Sequence, residues 1–458
     1  MSYRQILYSL MPKQNGVPAG LPGTPTRNYA NQPTRHYATS EPTHYRSQVT
    51  GPGGRRCMEC AIRAWFLAAL RYNVRPNPDR GRNVSILPNA NARSVTVSTE
   101  SNASKFLNSV ELSLVGRPLH EVAAVRDVSV DGKIVRARVD LRFPCNSALE
   151  RVRKELEDAL RAETGAEQVE LVLKTNIVRH AVQRNLKPIP GVKNIIAVAS
   201  GKGGVGKSTV SANLALALAG EGAAVGILDA DIYGPSQPHM MGIVGQQPVS
   251  EDGKTMLPLR AHGLQIMSIG ALVDPDQPMV WRGPMVTSAL DQLANQTRWE
   301  DLDYLIVDMP PGTGDIQLTL AQKIPVSGSV IVTTPQNIAT LDARKGLAMF
   351  RKVAIPVLGV IENMSTHVCS ACGHEDAIFG SGGAAQMIAD FDVRLLGQLP
   401  LDTQIREQTD AGRPTVVAAP ESAVAQAFRA AAWQVGAAQA AERADHSSKF
   451  GNIVVESS

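Results

Sequence analysis

Residues 195–219 read Ile-Ile-Ala-Val-Ala-Ser-Gly-Lys-Gly-Gly-Val-Gly-Lys-Ser-Thr-Val-Ser-Ala-Asn-Leu-Ala-Leu-Ala-Leu-Ala. An apolar run suited to a buried strand ends at Ser200, a glycine-rich loop follows from Gly201 to Thr209, and an Ala- and Leu-rich segment then predicts a helix. This is G-x-x-x-x-G-K-[ST] in its strand–loop–helix setting. The chemistry needs these residue types. Glycines let successive backbone N–H groups curl around phosphate oxygens, and the helix start adds positive dipole. Lys207 reaches the outer phosphates and Ser208 offers a hydroxyl to Mg²⁺. Gly201, Lys202, Gly203, Gly204, Val205, Gly206, Lys207, Ser208 and Thr209 are therefore the candidate nucleotide-binding residues.

Working outward, two further strand-like runs end in carboxylates: Val225-Gly-Ile-Leu-Asp229-Ala-Asp231 and Tyr304-Leu-Ile-Val-Asp308-Met-Pro-Pro-Gly-Thr-Gly-Asp315. A lone Asp after a strand is ordinarily a loop or helix cap. Three carboxylates in step with a phosphate loop can hold Mg²⁺ through water and orient an attacking water, because phosphoryl transfer depends on positioning and charge neutralisation. Lys202, Lys207, Asp231 and Asp308 are the candidate catalytic residues, with Ser208 and Asp229 as Mg²⁺ ligands. From 194 to 440 strand-like and helix-like segments alternate. That pattern predicts an α/β domain with a mostly parallel sheet, helices on both faces and ligands at the carboxyl ends of the strands.

Before that domain, 179–193 reads as a Pro- and Lys-rich linker and 99–178 as a small α+β module. Val122 to Val130, the Asp131-Gly132 turn and Ile134 to Phe143 predict a β-hairpin. Ser147 followed by Glu150 predicts a capping box for a helix with Leu149, Val152, Leu156 and Leu160 on one face, and Val169 to Leu173 a closing strand. Residues 1–98 are loose and basic, with 13 Lys+Arg against 3 Asp+Glu, which leaves 33 against 39 for the rest. The leader suits a transit segment or a mis-assigned start that carries upstream sequence with it. The negative remainder argues against nucleic acid as a partner, and no apolar run is long enough to predict a membrane span. The tail, 441–458, is polar and expected to fray.

The chain has five cysteines, Cys57, Cys60, Cys145, Cys369 and Cys372. An odd, sparse count in a long chain points to a reducing compartment, where a C-x-x-C pair is a metal or redox site. Cys369 and Cys372 supply half of a Cys₄ set, which the two-fold axis of a symmetric dimer would complete around a [4Fe–4S] cluster. His367 and His374 flank the pair, so zinc is equally compatible with it, and thiol–disulfide exchange is a third use.

Lys202 makes the loop similar to the deviant Walker A group that includes MinD, ParA, ArsA and the nitrogenase iron protein. In that group the early lysine reaches across a dimer to the partner's nucleotide. Gly201 to Thr209, Asp229-Ala-Asp-Ile-Tyr-Gly-Pro-Ser236, Trp281-Arg-Gly-Pro-Met285, Asp308 to Asp315, Glu362-Asn-Met-Ser365 and Cys369-Ser-Ala-Cys372, in this order, resemble the Mrp/NBP35 family, also called ApbC. The resemblance covers about 194 to 420. It implies a P-loop NTPase fold of the SIMIBI type and a slow, homodimeric ATP hydrolase that binds ATP, Mg²⁺ and a labile [4Fe–4S] cluster at Cys369 and Cys372. Apo iron–sulfur proteins are the implied recipients and a cluster-assembly scaffold the donor. Asn363 and the Pro400-Leu-Asp402 turn are similar to positions that line the adenine.

Residues 99–178 resemble the MIP18 module found in front of such ATPases. In that module Phe143-Pro-Cys145 is similar to a reactive-cysteine site, and a place beside a helix start would lower its thiol pKa; a half-buried structural cysteine is the equal alternative. The long cytosolic form has an N-terminal four-cysteine site; this chain has only Cys57 and Cys60 there, read as incidental. The cytoplasm is the expected compartment, with a mitochondrion or plastid if the leader is a transit peptide. A MinD- or ParA-like organiser is the rival reading. A MinD-like protein would carry a C-terminal basic amphipathic helix. An ATPase with a structural zinc loop and a nitrogenase-type reductase are further rivals.

Overall fold

The structure, a computed structural model, describes residues 100–183, 186–272, 283–369 and 371–445. The leader with Cys57 and Cys60, Trp281 and Arg282, and most of the tail lie outside the described residues.

Helix α1 (Glu100–Ser109) buries Ala103 and Leu107. A short hairpin of β1 (Glu111–Leu112) and β2 (Arg117–Pro118) and the single turn α2 (Leu119–Val122) follow it. They lead into a long antiparallel hairpin, β3 (Ala123–Asp131) and β4 (Ile134–Leu141), turned at Gly132. Alternate residues of β4, namely Val135, Ala137, Val139 and Leu141, point to one face, as a strand's period of two requires. Helix α3 (Leu149–Thr164) buries Val152, Leu156 and Leu160 in the same core, and β5 (Gln168–Thr175) returns parallel to β4.

The capping box does not form. A 3₁₀ turn, Asn146–Ala148, precedes α3, whose start has no side-chain cap. Ser147 instead donates its backbone N–H and its Oγ to the Glu221 carboxylate, at 3.0 and 2.6 Å. Glu221 is 1% exposed, and a buried carboxylate left without donors costs more than an exposed helix end that water can satisfy.

The large sheet begins with β6 (Val192–Ser200), which leads through the glycine loop into α4 (Lys207–Gly220) and on to β7 (Val225–Asp229) and α5 (Gln237–Met240). β8 (Leu259–Ala261), β9 (Leu264–Ser268), α6 (Gly283–Gln296), β10 (Leu302–Asp308), α7 (Asp315–Lys323), β11 (Gly328–Thr333), α8 (Asn337–Lys352) and β12 (Val357–Glu362) come next. A small hairpin of β13 (His367–Val368) and β14 (Glu375–Asp376) precedes α9 (Gly383–Phe391), β15 (Leu395–Gln398), α10 (Thr403–Asp410), α11 (Thr415–Ala418) and α12 (Ala423–Ala441).

The order is β15-β12-β11-β6-β10-β7-β9-β8, parallel throughout except for β8 against β9. Central β6 is covered on both sides: Ile196 and Val198 enter one core, and Ile195, Ala197 and Ala199 the other. Hence it reads as a continuous apolar run rather than an alternating one. This is the α/β class that the alternation predicted.

Helix α12 belongs to two cores. Phe428, Ala431, Ala432 and Val435 pack with α4 of the large domain, whereas Ala437 and Ala440 complete the core of the N-terminal module. His180 and Ala181, in the segment read as a linker, are held down as well. His180 is 1% exposed with its Nδ1 2.9 Å from Asn194 Oδ1, and the backbone N–H of Ala181 donates to Arg443 O. Among the described residues no helix is long and apolar enough to cross a membrane.

Candidate functional site

The glycine loop sits at the carboxyl end of β6, and two contacts explain why a side chain is not tolerated at Gly201 or Gly206. A Cβ on Gly201 would lie 2.1 Å from the Asp342 carbonyl carbon in the backbone of α8. Gly206 has φ +80°, in the left-handed region that glycine tolerates, and a Cβ there would lie 2.3 Å from Asn363 Nδ2. Asn363, just past the end of β12, donates that nitrogen to Val205 O at 2.9 Å and so ties the loop to a second strand end.

Lys207 opens α4 and is buried. Its Nζ donates to Asp308 Oδ1 at 2.5 Å and to Ser208 Oγ at 3.1 Å, and lies 3.9 Å from Asp231 Oδ2. Asp308 and Asp229 end neighbouring strands in direct register and are both 0% exposed. Asp308 also accepts from Ser211 Oγ and Gln237 Nε2, at 2.9 and 3.0 Å. Asp229 accepts from Ser268 Oγ and the backbone N–H groups of Gln237 and Asp231. Burial first, and then the neighbouring Asp308 charge, push the Asp229 carboxyl up to about 7. Burial also raises Asp231, against the opposing pull of Lys207. Lys202 is half-buried and forms no ion pair among the described residues.

Two buried carboxylates on neighbouring strand ends, with a serine hydroxyl bonded to the ammonium that meets Asp308, offer oxygen ligands for a hard divalent cation and a positive charge for a phosphate chain. Gln237 and Ser268, which sequence reasoning did not single out, are as deeply placed as the carboxylates they serve. Gln237 directly follows the quoted Asp229 to Ser236 run, but its residue type carries no signal of its own.

The cysteine pair lies in the β13–β14 hairpin, which begins four residues after Asn363. The Cys369 N–H donates to His374 O at 2.9 Å, and the Gly373 N–H to Cys369 O at 2.8 Å, closing a tight turn that leaves Cys369 half-buried and Cys372 exposed. The backbone N–H groups of Cys372 and Ala371, then the Cys372 thiol and His367, hold the Cys369 thiol below its ordinary range. His367 Nδ1 is 2.9 Å from Leu401 O. Among the described residues no three His, Cys, Asp or Glu side chains converge on a metal position. The base of the hairpin is bonded to the 399–402 turn: Ser365 N–H donates to Leu399 O at 2.9 Å and Leu401 N–H to Thr366 O at 2.7 Å.

The family model described as NUBPL iron-transfer P-loop NTPase matches residues 191–436, more than half of the chain. The chain belongs to this family. A second model, described as iron-sulfur cluster assembly protein, matches residues 101–171. A protein of Haemophilus influenzae named iron-sulfur cluster carrier protein is 50% identical over 73% of this chain and 90% of its own length. The mouse protein named iron-sulfur cluster transfer protein NUBPL is 53% identical over 53% of this chain and 76% of its own length. Among solved structures, a nucleotide-binding protein in complex with ADP from Archaeoglobus fulgidus is 35% identical over 52% of this chain and 93% of its own, with a TM-score of 0.46.

In this member of the NUBPL-type P-loop NTPases, Cys145 departs from the reactive-thiol expectation. It is 0% exposed, packed in the core of the N-terminal module, and its thiol is pushed up to about 12 by burial and then by the Glu221 charge. The start of a 3₁₀ turn is too short a dipole to offset that desolvation.

Proposed function

We propose that this chain is an ATP-dependent carrier that holds a [4Fe–4S] cluster between two copies of itself and passes it to apo iron–sulfur proteins. One observation carries the reading. The strand end that braces the phosphate loop, Asn363 on Val205 O, is continuous with the hairpin that presents Cys369 and Cys372. The names of the curated relatives supply the cargo.

In this reading Gly201, Gly203, Gly204, Val205, Gly206 and Thr209 surround the phosphates and Lys207 neutralises the outer ones. Lys202, without an ion pair among the described residues, serves the partner copy's nucleotide. Ser208 and Asp229 hold Mg²⁺, which supplies charge neutralisation at the phosphates, and Asp308 positions Lys207. Asp231 orients the attacking water. The water oxygen bonds to the γ-phosphorus, the bond to the β–γ bridging oxygen breaks, and ADP and phosphate leave. Hydrolysis is slow and coupled to cluster transfer, because the adenine-side turn at 400–402 is hydrogen-bonded to the base of the cysteine hairpin.

Two thiolates per chain make half a ligand set, so the cluster demands a homodimer. The carrier works in the cytoplasm, loaded by an assembly scaffold. Anaerobic reconstitution of the full chain with iron and sulfide tests it. The expected result is a broad absorbance near roughly 400 nm, about four irons per dimer and recovery of an apo-acceptor enzyme. Bound zinc with no chromophore overturns it.

A further inference from the structure

Gln237 reaches Asp229, Asp308 and the phosphate loop at once. Its backbone N–H donates to Asp229 Oδ2 at 3.2 Å, and its side-chain Nε2 donates to both Ser208 O and Asp308 Oδ2 at 3.0 Å. Both side-chain partners can only accept, so the amide nitrogen must face them and the orientation of the amide is fixed by the network. The amide oxygen is left buried with no hydrogen-bond partner, on a residue that is 0% exposed. The Ser236 hydroxyl, one residue earlier, is likewise buried without a partner. An orphaned acceptor at full burial is costly and calls for a donor. Two adjacent orphans beside paired carboxylates mark a place where a donor arrives with a ligand.

We propose that Gln237 is a positioning residue for the metal–nucleotide site: its nitrogen clamps Asp308 against the phosphate loop, and its oxygen accepts a hydrogen bond from a water of the Mg²⁺ shell. The inference rests on the nucleotide reading above and deepens it. Ser208, Asp229 and Asp308 lie on three different segments, and one side chain with its own backbone N–H spans all three. Gln237 thus sets the spacing into which the metal fits, and the segment from Asp229 to Gln237 closes on the phosphate loop as one piece. A hydrocarbon of the same length keeps the packing but supplies neither donor nor acceptor.

The test compares full-length wild type with Gln237→Met and Gln237→Leu, two shapes that guard against a misfit of either one. ADP binding is measured calorimetrically in EDTA and across a Mg²⁺ titration, with thermal unfolding as the check on folding. The expected result is that the variants need roughly tenfold more Mg²⁺ for the same gain in ADP affinity, the size of one hydrogen bond to a charged group, a loss well beyond any fall in affinity in EDTA. An unchanged Mg²⁺ titration overturns the inference. So does an equal loss with and without Mg²⁺, which would make Gln237 a packing residue only. Wild-type protein that binds no ADP under either condition overturns the nucleotide reading itself, and the role of Gln237 with it.

Discussion

Lys207 Nζ stands 2.5 Å from Asp308 Oδ1, with the lysine side chain 5% exposed and the aspartate 0%. In the proposed nucleotide site the ammonium is thus already held by a carboxylate of the neighbouring strand, and a nucleotide would have to compete for it.

Lys207→Met should therefore do two things. It should abolish nucleotide binding, and it should destabilise the fold by about 3–5 kcal/mol, since Asp308 is left buried without its counter-charge. The double variant Lys207→Met/Asp308→Asn should recover a large part of that loss. Chemical denaturation of the single and double variants measures the coupling, and strict additivity would show that the pair does not interact.

Cys145 gives a prediction in pH. Its folded thiol is pushed up to about 12, whereas in the unfolded chain it ionises near roughly 8.5. Between those values the folded state holds one proton more than the unfolded state, so stability is full below the lower value and declines as pH rises towards the upper one, by up to about 1.4 kcal/mol per pH unit. Cys145→Ala should flatten that part of the stability–pH curve. Alkylation mapped by mass spectrometry should label Cys369 and Cys372 in the folded protein and Cys145 only after unfolding.

Glu221 joins the two cores, accepting from Ser147 N and Oγ and lying 3.3 Å from Arg429 Nε. Glu221→Ala should leave Ser147 and Arg429 without their acceptor and cost roughly 3 kcal/mol. Hydrogen exchange should rise first in the 144–149 turn and at the start of α3. Uniform exchange across the chain would show that the contact is not a local lock.

Replacing either hairpin cysteine separates cargo from fuel. Cys369→Ser or Cys372→Ser should lower iron retained after reconstitution by about tenfold, because each change removes two of four sulfurs from a shared site, and leave ADP affinity within about twofold of wild type. A parallel fall in ADP affinity would place the cysteines in the nucleotide site.

What the sequence made legible was what lies close along the chain. The phosphate loop could be read because strand, loop and helix are contiguous, and Asp229 and Asp308 because each ends its own apolar run. The partners of those groups could not be read this way. Gln237 reaches Asp308 across 71 residues and Ser147 reaches Glu221 across 74, and nothing in either local pattern names the other. The capping box failed for that reason: Ser147 and Glu150 satisfy the spacing, but a distant buried carboxylate competes for the same donors. Of the two readings of Cys145, reactive thiol or structural cysteine, the burial of the side chain favours the second, and the core that buries it is built from residues far along the chain.

The helix shared by the two cores also sets a timetable. The N-terminal module has made its last strand at Thr175, yet Ala437 and Ala440, which finish its interior, are made about 260 residues later, some 13 to 50 s at ordinary elongation rates. Until then the nascent module exposes an open apolar seam where α12 will lie. It should need a holding chaperone on the ribosome, and a chain released before α12 is complete should leave both halves unfinished at once.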